Sequence, residues 1–237
     1  MHDLQKDGLC KSFTAAQPNN TCIGTLVHDV DAYDVYPAAE NLPMATNTTL
    51  ADVLQPNSNP KLNRFQRYGI ALALASSHLQ LHTSSLLEPT WTAENVHFPV
   101  SPGSDDTIIL HGEPYLLANL NALDSGNRPQ RDRSFQTLGI VLLELCFGVR
   151  LEQHNLWKNP VYGAGKADPM LRQTVACEWL NDVEGEAGDG YASAVSWTLK
   201  HAPAVLKDDK WRIDFAENVV QPLQACYESM KRGRTRI

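Results

Sequence analysis

Several residues in this sequence have the types and spacing that chemistry requires. His78 and His82 stand four apart in "HLQLH", so on a helix they share one face and two imidazoles could grip a zinc ion. No glutamate of an HExxH pattern lies between them and no third ligand is apparent, so a core or hydrogen-bonded histidine pair is expected and no metal. The acidic run "DVEGEAGDG" from Asp182 has the composition of a calcium loop. Its central glycine position holds Ala187 and its bidentate glutamate position Ser193, so it reads as an exposed acidic turn between helices. "GAGK", Gly163 to Lys166, lacks the leading glycine and the trailing Ser or Thr of a phosphate loop and reads as a turn. No G-x-S-x-G occurs, and no spacing rule ties a cysteine to a histidine. Two polar positions remain. Asn95, in "TWTAENVHF", sits on a loop whose backbone its side chain can hold. Glu144 is a charge on the apolar segment "IVLLELCFG", where it needs a basic residue or a backbone N–H as partner.

The elements that must position these residues follow from the patterning. The first 60 residues contain no arginine and only Lys6 and Lys11. They suggest strands at "CIGTLVH" and "YDVYP", an irregular Pro/Asn/Thr-rich loop, and a capped helical turn at "TTLADVL". There Thr48 or Thr49 serves as N-cap and Asp52 falls in the first turn. A long helix is expected over Leu62–His82, apolar around most of its surface and therefore buried. "NVHFPV", "TIILHG" and "PYLLANL" read as short strands of a ribbon. "SFQTLGIVLLELCFG" is a second buried helix closed by Gly148, and the remainder is helical, with Asp168 capping a helix whose first turn holds Pro169. The expected class is α+β, mainly α. It divides into a reduced strand-bearing part over 1–60 and a helical part over 61–237.

Composition narrows the function classes. The 237 residues carry a formal net charge of −7 and are 43% hydrophobic, which allows a sizeable core and argues against a partner bound by neutralising phosphates, so no nucleic acid. The basic tail "KRGRTRI" from Lys231 is expected to be a solvated end. No apolar run is long enough for a membrane span, and the first residues lack the apolar core of a signal peptide. The five cysteines, odd in number and scattered, suit free thiols in a reducing cytoplasm.

Several strings, in order, resemble the C-terminal lobe of protein kinases. "LADVL" is similar to the helix after the hinge, "IALALASSHLQLH" to the helix before the catalytic loop, and "SFQTLGIVLLELCFG" to the kinase string DVYSLGVVLLELLTG. A closer likeness takes in "GLC", "CIGTL", "RYGIALALASSHLQLH", "ENVHF", "LGIVLLELCFG" and "EGEAGDGYASAV". These together resemble a fungal family of unknown function with a kinase-like fold. Its members often follow a helical prion-inhibition-and-propagation (HeLo-like) domain. The resemblance implies a kinase-like C-lobe and, as partner, another protein, including such a helical domain. It also implies a place in fungal cell-death or incompatibility signalling.

The residues that kinase chemistry needs are replaced. No G-x-G-x-x-G occurs before Leu62, and the lysines there come too early to follow one. Matching Glu94–Asn95 to the kinase pattern HRDLKPENILL puts Thr90 at the catalytic aspartate and Ala118–Asn119–Leu120 at the metal-binding DFG. Ser134 stands where an aspartate would brace the loop, so the resemblance leaves Asn95 alone as a candidate ligand for a metal–nucleotide complex. The sequence therefore suggests a catalytically inactive, kinase-like scaffold or regulatory module, with no catalytic residue, no cofactor and no enzyme activity. The alternative is a degenerate phosphotransferase or nucleotide-binding enzyme with non-standard residues. A partner patch is expected around Trp91, Phe98 and Tyr115, unless the N-terminal segment folds over them.

Overall fold

Local signals start and stop most of the elements. The computed structural model describes residues 22, 24–28, 31–35, 48–59, 61–82, 91–98, 114–116, 133–158, 169–200 and 210–234. The chain divides into two compact units, Met1–Ala45 and Thr46–Ile237, so 46–60 groups with the helical residues rather than with the N-terminal part. In the first unit, β1 (Gly24–His28) and β2 (Asp31–Val35) form an antiparallel pair, with Gly24 opposite Val35 and His28 opposite Asp31. Both lie at the strands expected from the sequence.

The second unit opens with β3 (Thr48–Thr49) and α1 (Leu50–Val53). Thr49 is the N-cap. Its Oγ1 accepts from the Asp52 N–H at 3.1 Å while the Asp52 carboxylate accepts from the Thr49 N–H at 3.1 Å, a reciprocal capping box. The same device starts α2 (Arg64–Leu81), where Asn63 and Gln66 exchange backbone and side-chain bonds at 3.0 and 2.9 Å. β4 (Val96–Phe98) pairs with β3 on one side and with β5 (Tyr115–Leu116) on the other, all antiparallel. The strand expected at "TIILHG", the "GAGK" segment and Asp168 lie outside the described residues.

α3 (Arg133–Phe147) is the centre of the core. Leu138, Leu142, Leu143, Leu145 and Cys146 are fully buried. α2 packs along one side of α3 and α6 (Asp189–Lys200) along another. Helices α3 and α6 approach closely because position 139 is glycine: a Cβ there would sit 2.7 Å from Leu199 Cδ2 and Thr198 Oγ1. α2 differs from its expected all-round burial. It buries the stripe Ala71, Leu74, Ala75 and His78 at helical spacing, while Phe65, Leu72 and Leu79 are only partly covered. Phe65 stacks on Tyr227 of α8 (Gln221–Arg234), at 4.7 Å between ring centroids.

The remaining elements are α4 (Pro169–Trp179), α5 (Val183–Ala187) and α7 (Lys210–Phe215), the last joined to α8 through a π-helical segment, Ala216–Val220. The acidic run expected as a turn is therefore partly helical. Val183 is fully buried and anchors α5, which stops at Gly188. The fold is α+β and mainly α. No described helix is long and apolar enough to cross a membrane.

Candidate functional site

Two of the residues singled out by type, Asn95 and Glu144, lie at the turn before β4 and near the end of α3. The turn spans 91–95. Asn95 Oδ1 accepts from the Thr92 N–H at 2.8 Å and from Thr92 Oγ1 at 3.3 Å, and the Asn95 N–H donates to the Thr92 carbonyl at 2.9 Å. The side chain thus closes its own turn, the alternative weighed from the sequence. Two residues before Asn95, the Ala93 carbonyl accepts from the Ala51 N–H at 3.0 Å, which ties the turn to α1.

Glu144 lies near the end of α3 and is 1% exposed. Its Oε1 accepts from Arg150 Nε at 3.2 Å and from the Leu151 N–H at 3.0 Å, so the expected satisfied carboxylate is found. Arg150 extends the network to Glu152 at 3.4 Å and to Glu94, beside Asn95, at 3.6 Å, and Arg172 closes on Glu152 at 2.8 Å. Burial pushes the Glu144 carboxyl above its ordinary value, while Arg150 and the Leu151 N–H pull it back. Burial alone would lower Arg150, but Glu144, Glu152 and Glu94 outweigh it and raise its pKa. Such a network fixes the chain that leaves α3 and leaves little carboxylate capacity for a metal or a substrate proton. Glu94, with its side chain 71% exposed, adds little to stability.

The histidine pair lies at the other end of α2, inside an aromatic cluster. His78 is 1% exposed and meets Phe135 at 4.9 Å, His82 at 5.3 Å and Phe215 at 5.7 Å between ring centroids. Neither His78 nitrogen has a hydrogen-bond partner. Burial therefore pushes its pKa from 6.5 down to about 3, with His82 adding to the fall. His82 Nδ1 lies 3.2 Å from Ser134 Oγ, so the serine at the supposed bracing position holds the end of α2. This is the core pair expected from the spacing. Among the described residues no group of three His, Cys, Asp or Glu is placed to hold a metal ion.

The expected partner patch does not assemble. Trp91 is 3% exposed and Phe98 0%, and both belong to the core of the second unit. Val96 and Phe98 share the buried face of β4, whereas Tyr115 lies opposite His97 on the other face, stacked at 5.6 Å and half-buried. The two-residue period of a strand separates Phe98 from Tyr115. The three aromatics thus face apart, and Trp91 and Phe98 are packing residues rather than exposed anchors. Thr90 and Ala118–Asn119–Leu120 lie outside the described residues.

Two basic groups near the end of α3 escaped the sequence reading. Arg150 is the first basic residue after Glu144, and a charge on an apolar helix was the signal that could have found it. Arg67 gave no such signal. Its importance comes from the approach of α2 to the end of α3.

The chain matches the family described as "Domain of unknown function (DUF7580)" over residues 2–228 and belongs to that family. No curated protein matches it.

Proposed function

We propose that this member of the family is a catalytically inactive, kinase-like module that works as a scaffold or regulator through its surfaces. The observation that carries the reading is the use made of the polar groups around the 91–95 turn. Asn95 closes its own turn, and Glu94, Glu144 and Glu152 all pair with Arg150. Phosphoryl transfer needs a carboxylate to position the attacking hydroxyl and others to hold Mg²⁺ around the phosphates. The sequence matches those positions to Thr90 and Ala118–Asn119–Leu120, and the helices that run from α1 through α2 to α3 have the order of the kinase strings they resemble.

The resemblance to chains that follow a HeLo-like helical domain extends the proposal to a cytoplasmic role in fungal cell-death or incompatibility signalling, with such a helical domain as partner. Cys22, Cys146, Cys177 and Cys226 are free, which fits a reducing compartment.

Thermal-shift titration with ATP, with and without Mg²⁺ or Mn²⁺, tests the inactive reading. No metal-dependent shift is expected, and no phosphate release above background. A saturable metal-dependent shift or phosphate release that Asn95→Ala abolishes refutes it.

A further inference from the structure

Several basic side chains on α2 and beyond the end of α3 find an opposite charge. Arg64 pairs with Glu186, and Arg150 and Arg172 share Glu152, with Glu144 on Arg150. Arg67 is different. It lies one turn into α2, its Nε is buried without a hydrogen-bond partner, and no described carboxylate pairs with it. Its guanidinium reaches the end of α3 because residue 148 is glycine, at φ +72°. A Cβ there would fall 2.0 Å from Arg67 Nη1. The carbonyl end of α3 offers a favourable field for a cation, but none of its carbonyls accepts from the guanidinium. A buried guanidinium N–H left unbonded is costly, and a carboxylate or phosphate, which can accept two of its N–H bonds side by side, is the group that matches it.

A cavity of about 290 Å³ opens beside this arginine, between α1, residues 54–58, Lys61, the start of α2 and the end of α3. That is the lower end of small-molecule pockets. Among the described residues its lining includes two cations, Arg67 and the exposed Lys61, and no acid. Ser58 also lines it, but its hydroxyl already donates to the Val53 carbonyl at 2.6 Å. The other walls are mainly apolar, with Leu54, Leu62, Phe147 and Val149 prominent among them.

We propose that this cavity binds a small amphipathic anion. Its carboxylate or phosphate head is held by Arg67, with Lys61 at the mouth, and its short apolar body lies against Leu62, Phe147 and Val149. The site goes beyond the inactive-module reading and does not depend on it, since it uses none of the groups around Asn95.

Isothermal titration of the full chain tests the site with two anionic probes, hexanoate and phenyl phosphate, and with neutral 1-hexanol as control. Saturable one-to-one binding of at least one anion is expected, and the probe that binds more tightly tells whether the head is a carboxylate or a phosphate. Loss of the charge-assisted bonds should leave hexanol at least roughly tenfold weaker than the better anion, and should weaken that anion by a similar factor in Arg67→Met. Lys61→Met, at an exposed position that folding does not need, should weaken it roughly twofold to fivefold. The proposal is overturned if neither anion saturates by millimolar concentration, if hexanol binds as well as the anions, or if Arg67→Met binds unchanged. Should Arg67→Met fail to melt cooperatively, Lys61→Met decides: unchanged affinity there also overturns the site. An ATP response that follows Asn95→Ala but not Arg67→Met would refute the inactive reading and leave this one standing.

Discussion

Lowering the pH should unfold this protein through His78, and the size of the effect follows from its surroundings. The imidazole sits among Phe135, Phe215, Trp91 and His82 with neither nitrogen bonded, so the fold accepts only its neutral form. Its pKa is about 3 in the folded chain against an ordinary 6.5. The unfolded chain therefore binds a proton below 6.5 that the folded chain refuses. The contribution is fully present above pH 6.5 and is lost as pH falls towards 3, at a limiting slope of about 1.4 kcal/mol per pH unit. Between pH 7 and pH 5 the loss comes to about 2 kcal/mol, and by pH 4 to about 3 kcal/mol. Glu144 works in the opposite sense, because its raised pKa makes the folded chain bind a proton more readily than the unfolded one. Comparison with a His78→Phe variant removes that contribution and those of the other carboxylates. Urea midpoints measured from pH 7 to pH 4 should fall more steeply for the parent than for His78→Phe, whatever the variant's absolute stability. Parallel curves would show that His78 is not held neutral in the core and would refute the reasoning.

Leu142, fully buried on α3, should cost about 2–5 kcal/mol when replaced by alanine, from lost transfer energy and the cavity left behind. Chemical denaturation checks this, and a loss below about 1 kcal/mol would contradict its central place. Glu144→Ala leaves Arg150 with only the partly exposed Glu152 and Glu94, so a loss of about 3 kcal/mol is expected, against less than about 1 kcal/mol for Glu94→Ala. The same denaturation assay ranks the two, and equal losses would deny the buried pair its role. Gly148→Ala puts a Cβ into a left-handed position, at about 1–2 kcal/mol for the backbone alone, and displaces Arg67. It should lower the melting temperature and weaken anion binding together, as calorimetry and titration on one sample would show.

Local chemistry and periodicity made much of this protein legible in its sequence. Thr48 or Thr49 with Asp52 marked the start of α1, Gly148 the end of α3, and the apolar run from Ile140, broken only by Glu144, announced the most buried helix. The need of Glu144 for a cation or an N–H followed from charge on an apolar segment, and the core character of His78 and His82 from their spacing without a third ligand. These features depend on neighbours within a turn or two, so the order of residues determines them. Tertiary packing decided the rest. It chose Arg150 as the partner of Glu144, turned Phe98 inward and Tyr115 to the opposite face, and left Phe65, Leu72 and Leu79 of α2 only partly covered. It also brought Arg67 to the end of α3 with no acid among the described residues to pair with it, where a missing Cβ at position 148 makes room for it. Partners of that kind come together only when separate elements pack. A local pattern states what a side chain needs, and the packing of distant elements determines what it meets.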